Sequence, residues 1–309
     1  MPGWIDVLKT VLPVALTLLL GVVCRRMRLL TRGGVDALKT VAVQISLPAV
    51  LLHTFATAEY TPAMLAVPLI MFALCVLAWY LGRCAGNALG MRNRFVPFLT
   101  TGFEAGMLGY TLFGLLYPDS PMADFARIDL GQVLFVFTLY KVLIGLDGHE
   151  RPTARQLAKE MALSPIILAI AAGVLLGATG LYRAMEPSGA AALLDACTDF
   201  ISAPVSALIL IAVGYDLVFR DIRWGSALSA VALRTGIMAV LGTGVFFLFR
   251  LLWPGEDWTR PVCLMFLLPP PFVLPVFSED EDQRAYLSAV LSLSTLLTLA
   301  GFAVLAVIG

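Results

Sequence analysis

The sequence predicts an all-α polytopic membrane protein of ten transmembrane helices. They form a five-plus-five inverted repeat with broken, crossing helices four and nine. Three observations carry this. First, 60% of the 309 residues are hydrophobic and only 14% are charged, more apolar surface than a soluble domain of this size needs. Second, Pro, Gly and short motifs recur in the same order in both halves. Third, two of the apolar segments contain residues that a continuous helix does not tolerate.

Hydropathy places the spans at Ile5–Val23, Val35–Phe55, Met64–Ala85, Phe95–Tyr117, Ile128–Leu146, Leu163–Leu181, Ala190–Val213, Ala227–Trp253, Val262–Phe277 and Ala285–Ile308. Segment 5–23 is expected to be a retained span rather than a signal peptide. Only Lys9 precedes its apolar run, whereas Arg25, Arg26 and Arg28 follow it. With the N-terminus outside, fourteen Lys/Arg fall in inner loops: Arg25, Arg26, Arg28, Arg32, Lys39, Arg83, Arg92, Arg94, Arg151, Arg155, Lys159, Arg220, Arg223 and Arg284. Five fall outside: Lys9, Arg127, Arg183, Arg250 and Arg260. The positive-inside rule therefore puts both termini on the non-cytoplasmic side of a plasma (inner) membrane.

The halves correspond motif by motif. Pro13 followed by Gly21 matches Pro165 followed by Gly173. Ile45-Ser-Leu-Pro48 matches Ile201-Ser-Ala-Pro204. Arg94-Phe-Val-Pro97 opens the fourth span, and Arg260-Pro261 opens the ninth. Five spans per half is an odd number, so the halves are inverted. The expected division is 1–146, a cytoplasmic linker at 147–162 with no domain of its own, and 163–309.

The fourth span carries Gly102, Gly106, Gly109 and Gly114, with Glu104 near its middle. Counting about 1.5 Å per residue from Phe95, Glu104 lies about 14 Å deep, near the centre of a hydrocarbon core about 30 Å thick. An ionisable residue there is expensive and usually faces a cavity or an ion path. The ninth span contains Pro269, Pro270, Pro271 and Pro275, which supply no backbone donors. Breaks near Gly106–Gly109 and Pro269–Pro271 are expected, adjacent in space. Half-helix ends meeting at the midplane would point partial charges at a ligand.

Other polar residues have two readings each. Arg234 in the eighth span either snorkels to the cytoplasmic face or pairs with Glu104 or an anion. His53 either hydrogen-bonds between helices or joins a proton relay. Asp129 suits an N-cap of the fifth span, and Gln132 could reach the cavity. Lys141 is expected to snorkel, and Glu279–Asp282 to be a solvated inner loop. Glu104 itself is either a substrate or proton residue, or a carboxyl bonded to backbone freed by the broken ninth helix. The five cysteines have no metal-ligand spacing and read as buried free thiols. There is no Walker lysine motif, HExxH or Ser-His-Asp set, so neither an enzyme nor a cofactor is expected. The charges sum to zero, which offers nucleic acid no basic surface.

Ile45-Ser-Leu-Pro-Ala-Val-Leu-Leu52, Gly102 to Leu112, Asp129-Leu-Gly-Gln132 and Val290-Leu-Ser-Leu-Ser-Thr-Leu-Leu297 together resemble the auxin efflux carrier family of membrane permeases. The resemblance runs over essentially the whole chain, in its compact microbial form. It implies a scaffold of spans one, two, six and seven facing a transport domain made of the rest. It also implies a secondary transporter of a small organic anion such as a carboxylate, with a homodimer as a candidate assembly. The crossover residues would be Gly102, Glu104, Gly106, Gly109, Tyr110, Gln132, Pro269, Pro270, Pro271 and Pro275, with charge or proton coupling through Glu104, Arg234 and His53. Glu104 stands where that family usually has Asn, and Thr111 where it has Pro. The rival reading is a cation/proton antiporter of the related crossed-helix type. That class wants adjacent intramembrane carboxylates, and from the sequence only Glu104 is available. A membrane sensor or intramembrane enzyme is the third reading, without a signalling domain or catalytic set to support it.

Overall fold

The computed structural model describes residues 4–61, 63–146, 153–217, 224–278 and 280–308. Every regular element among them is helical. Long apolar runs with few interior breakers lead to this, because in lipid each backbone N–H and C=O must be bonded within its own segment. Seven described helices are long and apolar enough to cross a membrane, and eight if one bent pair counts as a single span.

In chain order the elements are α1 (Trp4–Arg26), α2 (Arg32–Ala56) and α3 (Ala63–Ala88). The short α4 (Val96–Leu99) and α5 (Ala105–Leu116) follow, then α6 (Met122–Gly145). The second half has α7 (Ala154–Leu163), α8 (Pro165–Ala178), α9 (Leu181–Met185), α10 (Ala190–Asp216), α11 (Trp224–Leu252), α12 (Thr259–Leu267) and α13 (Glu281–Ile308). Three π-helical turns lie inside these helices, at Ala42–Ser46, Ala105–Gly109 and Val136–Tyr140. Such turns are rare and often sit at functional positions.

Residues 147–152 of the expected linker lie outside the described residues, with His149 and Arg151. So do Arg220, Arg223 and Glu279. The rest of the linker is not a loop but mostly α7, started by a capping box between Thr153 and Gln156. It bends 64° from α8 at Ser164 and Pro165. Lys141 does not simply snorkel; it pairs with Glu160 of α7 at 2.5 Å. The acidic segment after residue 279 opens α13, with Glu281 and Asp282 in its first turn, where a helix N-terminus favours negative charge.

Two helix pairs pack closely through glycine. A Cβ on Gly21 of α1 would lie 2.2 Å from the Ile211 carbonyl of α10. A Cβ on Gly173 of α8 would lie 2.7 Å from the Leu52 carbonyl of α2 and 2.8 Å from Phe55 Cβ. Backbone approach of this kind drives association where burial from water offers nothing. The contacts are reciprocal under the sequence correspondence: Gly21 matches Gly173, and Ile211 matches Phe55.

At one end, Arg25 donates to the Tyr215 and Leu217 carbonyls, and Asp216 pairs with Arg32 and Lys39. Three cations thus gather on the C-terminus of α10, where the helix dipole favours them. Elsewhere α3 packs on α6, and α11 packs on α3, α12 and α13. The outer faces carry Leu8, Leu12, Leu16, Leu69, Val240 and Leu251, all exposed. That distribution suits a lipid surround rather than water. All five cysteines are free, but Cys84 and Cys197 are exposed rather than buried. They lie on outward-facing sides of otherwise apolar helices.

Candidate functional site

The site is built where two helices stop. α4 ends at Leu99 and α12 at Leu267, and each chain runs non-helically before resuming. The ninth segment stops because Pro269, Pro270 and Pro271 cannot donate to the preceding turn, and it resumes as a 3₁₀ turn, Leu274–Phe277, around Pro275. The fourth stops at Thr100–Glu104, not at Gly106–Gly109. Gly102 has φ +67°, a left-handed conformation open to glycine, and a Cβ there would meet Pro271 Cγ at 2.9 Å. Gly106 and Gly109 instead lie in the π turn that opens α5. The two breaks touch: the Glu104 N–H donates to the Pro269 carbonyl at 2.9 Å.

Each stopped helix leaves backbone groups without helical partners, and side chains take them up. Arg234 of α11 donates to the Leu99, Gly102 and Leu268 carbonyls at 2.9, 2.8 and 2.9 Å. Thr298 of α13 donates to the Leu267 carbonyl at 2.5 Å. Thr101, inside the break, donates to the Cys75 carbonyl of the unbroken α3 and so ties the break to that helix. Glu104 works at the opposite ends. Its Oε1 accepts from the Met107 N–H at 3.4 Å, as N-cap of α5. Its Oε2 accepts from the Phe272 N–H at 2.5 Å, where the ninth segment turns back toward helix. A cation thus serves the carbonyl ends of the first half-helices, and a carboxylate serves the amide ends of the second. Both placements follow the dipole.

Arg234 therefore neither snorkels nor pairs with Glu104, two of the three uses expected of it. It is 4% exposed, and its partners are main-chain carbonyls of both breaks. His53 is also placed elsewhere. Its Nε2 lies 3.3 Å from Asp195, which accepts from the Tyr182 hydroxyl at 2.9 Å. His53 lines a polar cavity of about 510 Å³ with Arg127, Asp124 and Glu256. Arg127, counted among the outer cations, is buried and reaches the Glu59 carbonyl at 2.7 Å, Asp124 at 3.3 Å and Glu256 at 3.4 Å.

The main correction concerns Asp129. It is not an N-cap, because α6 begins at Met122, six residues before the hydropathic start. Asp129 is 3% exposed in the helix interior. Its two oxygens accept from the Tyr110 hydroxyl at 2.9 Å and from Gln132 Nε2 at 2.8 Å. Gln132 Oε1 in turn accepts from the Phe103 N–H in the fourth-segment break at 3.4 Å. Tyr110, Asp129 and Gln132 thus form one chain of hydrogen bonds leading to the break. Among the described residues no cluster of His, Cys, Asp and Glu is arranged to hold a metal.

No family model matches the chain, and no curated protein matches it.

Proposed function

We propose that the chain is a secondary carrier of a small organic anion such as a carboxylate, working by alternating access at the paired breaks. One observation carries this. N–H groups from both resumed segments, Met107 and Phe272, converge on one carboxylate, that of Glu104. The crossover is therefore chemically matched to a carboxylate, and an incoming one would compete for the same amides. Glu104 has to give up these bonds or take a proton first, since two negative charges repel strongly in a low dielectric. Where it takes the proton, the exchange couples a proton to the anion. The partial charges of interrupted helices at the midplane are a recurrent way to build such a site.

The ten-span inverted repeat belongs to the same proposal. The reciprocal packing of Gly21 on Ile211 and Gly173 on Phe55 supports it. So does the matching of the broken fourth and ninth segments. The resemblance to the auxin efflux carrier family adds its scaffold and transport division, and α1, α2, α8 and α10 pack together accordingly. Both termini are then non-cytoplasmic, in a plasma membrane. A C-terminal reporter that reads cytoplasmic removes this topology.

The test of function is uptake of a panel of labelled carboxylates into reconstituted vesicles, with and without a pH gradient. Uptake of at least one, driven by the gradient, is expected. A second reading, the cation/proton antiporter, gains from Asp129, which gives the crossover a second buried acid. Its signature in the same vesicles is proton flux driven by sodium or potassium with no organic anion present. That result, with no carboxylate uptake, overturns the anion reading.

A further inference from the structure

A second cavity lies behind the crossover, and Glu104 does not line it. It holds about 540 Å³ between α11, α12 and α13, within the size range of ligand pockets, about 300–1,000 Å³. Eight residues of α11 line it in adjacent pairs four apart, with Arg234, Met238, Gly242 and Phe246 leading the pairs. Pairs at that spacing form one stripe along a helix. From Arg234 to Phe247 the stripe is about 20 Å long at 1.5 Å per residue. The cavity is therefore an elongated groove. Its walls are mostly apolar, including Val262, Phe266, Leu297 and Leu305. Thr243, Phe247 and Leu297 are exposed, so the groove opens sideways toward the lipid-facing surface.

Arg234, at one end, is the only formally charged lining residue among the described residues. It makes no ion pair among the described residues, and its three carbonyl bonds use three of the five guanidinium N–H donors. Ser294 of α13 also lines the groove, is 4% exposed, and its Oγ has no hydrogen-bond partner. A buried hydroxyl without a partner is uncommon enough to need an explanation. A long apolar trough with one cation and one idle hydroxyl has the shape and charge of a single acyl chain bearing one acid.

We propose that this groove binds a fatty acid taken laterally from the bilayer, its carboxylate at Arg234 and Ser294 and its chain along α11 toward Phe246. Because Arg234 also holds the Leu99 and Leu268 carbonyls, a bound acid contacts the residue that fastens both breaks. The proposal does not depend on which substrate, if any, the crossover carries.

The test uses the full chain in phosphatidylcholine nanodiscs, a photoreactive dodecanoic acid, and mass-spectrometric mapping of adducts. Adducts on α11 and α13 are expected. Excess dodecanoate should remove them and methyl dodecanoate should not. Thr243→Trp and, on a different helix, Leu297→Trp narrow the groove without touching Arg234. Each should reduce labelling about tenfold, equivalent to about 1.4 kcal/mol. Equal competition by the ester would mean that any lipid chain fills the trough, and overturns the proposal. So does labelling that survives both variants, or adducts confined to other helices. The acid-against-ester comparison is made on the native chain and stands even if a variant does not fold.

Discussion

Replacing Arg234 by methionine keeps length and apolar contact while deleting the donors that close both breaks. Three carbonyls, at Leu99, Gly102 and Leu268, then lose partners at 2.8–2.9 Å. Arg234 is 4% exposed, so water is poorly placed to substitute. A buried acceptor left unsatisfied costs about 1–3 kcal/mol. Against that, the variant no longer buries a guanidinium, which offsets several kcal/mol of desolvation. Three stranded acceptors at that cost each nonetheless exceed this relief, for a net loss of about 3 kcal/mol. For a chain of this size each kcal/mol moves the melting temperature by about 2–4 °C, so Arg234→Met should melt roughly 10 °C lower. Arg234→Lys keeps the charge but not the planar fork that reaches three carbonyls at once, and should fall between the two. Scanning fluorimetry of the purified protein in one detergent reads all three. A melting temperature for Arg234→Met within about 2 °C of the native protein, less than the shift expected for 1 kcal/mol, would refute the view that this side chain fastens the two interrupted helices together.

Glu104→Gln keeps an acceptor oxygen for the Phe272 N–H, so it should fold and bind but lose the pH dependence of uptake; an unchanged pH profile assigns Glu104 a purely structural role. Gly102→Ala forces a left-handed alanine, about 1–2 kcal/mol, against Pro271 Cγ at 2.9 Å; a melting temperature equal to that of the native protein would contradict the geometry of the break. Tyr110→Phe strips one donor from buried Asp129 and should cost about 1–3 kcal/mol in melting experiments, with no loss counting against the Tyr110–Asp129–Gln132 chain. Asp257, exposed in the loop before α12, has its pKa lowered by hydrogen bonds from the Thr259 side chain and amide. Its contribution to stability is therefore complete above the ordinary aspartate range and is lost as pH falls through the depressed folded value. Asp257→Asn should accordingly flatten part of the acid limb of the melting curve below about pH 4, and identical acid limbs in the two proteins would exclude the effect.

Apart from α6, apolar run lengths and the proline cluster place the long helices within a few residues, because both depend on local chemistry. The fourth segment was harder. Its density of glycine suggested a break at Gly106–Gly109, but glycines also permit close packing, and there Gly109 meets Phe125 and Leu268. The actual break needs Gly102, which has a positive φ and leaves no room for a Cβ beside Pro271, 169 positions later in the chain. Asp129 was misplaced because Arg127 and Asp129 lower the hydropathy of the first two turns of α6. Besides the local partners Asp124 and Gln132, they draw on Tyr110, Glu59 and Glu256, none of them local. Tyr110 and Asp129 are both polar residues beside apolar runs, a signal that could have been read as a pair. Arg234 gave no such signal, since main-chain carbonyls carry no mark in a sequence.

The hydrogen bond from the Glu104 amide to the Pro269 carbonyl also sets a schedule for biogenesis. Those residues are 165 positions apart, so at about 5–20 residues per second the ribosome needs about 8–33 seconds to make the second after the first. During that interval the fourth segment has no Phe272 amide for its carboxylate, no Pro269 carbonyl for its amide and, for most of the time, no Arg234 for its carbonyls. The helices already made therefore have to wait in the translocon or the bilayer with an open wound in one of them. Whatever shields that wound, water in the translocon or an insertion factor, becomes part of how this protein is made.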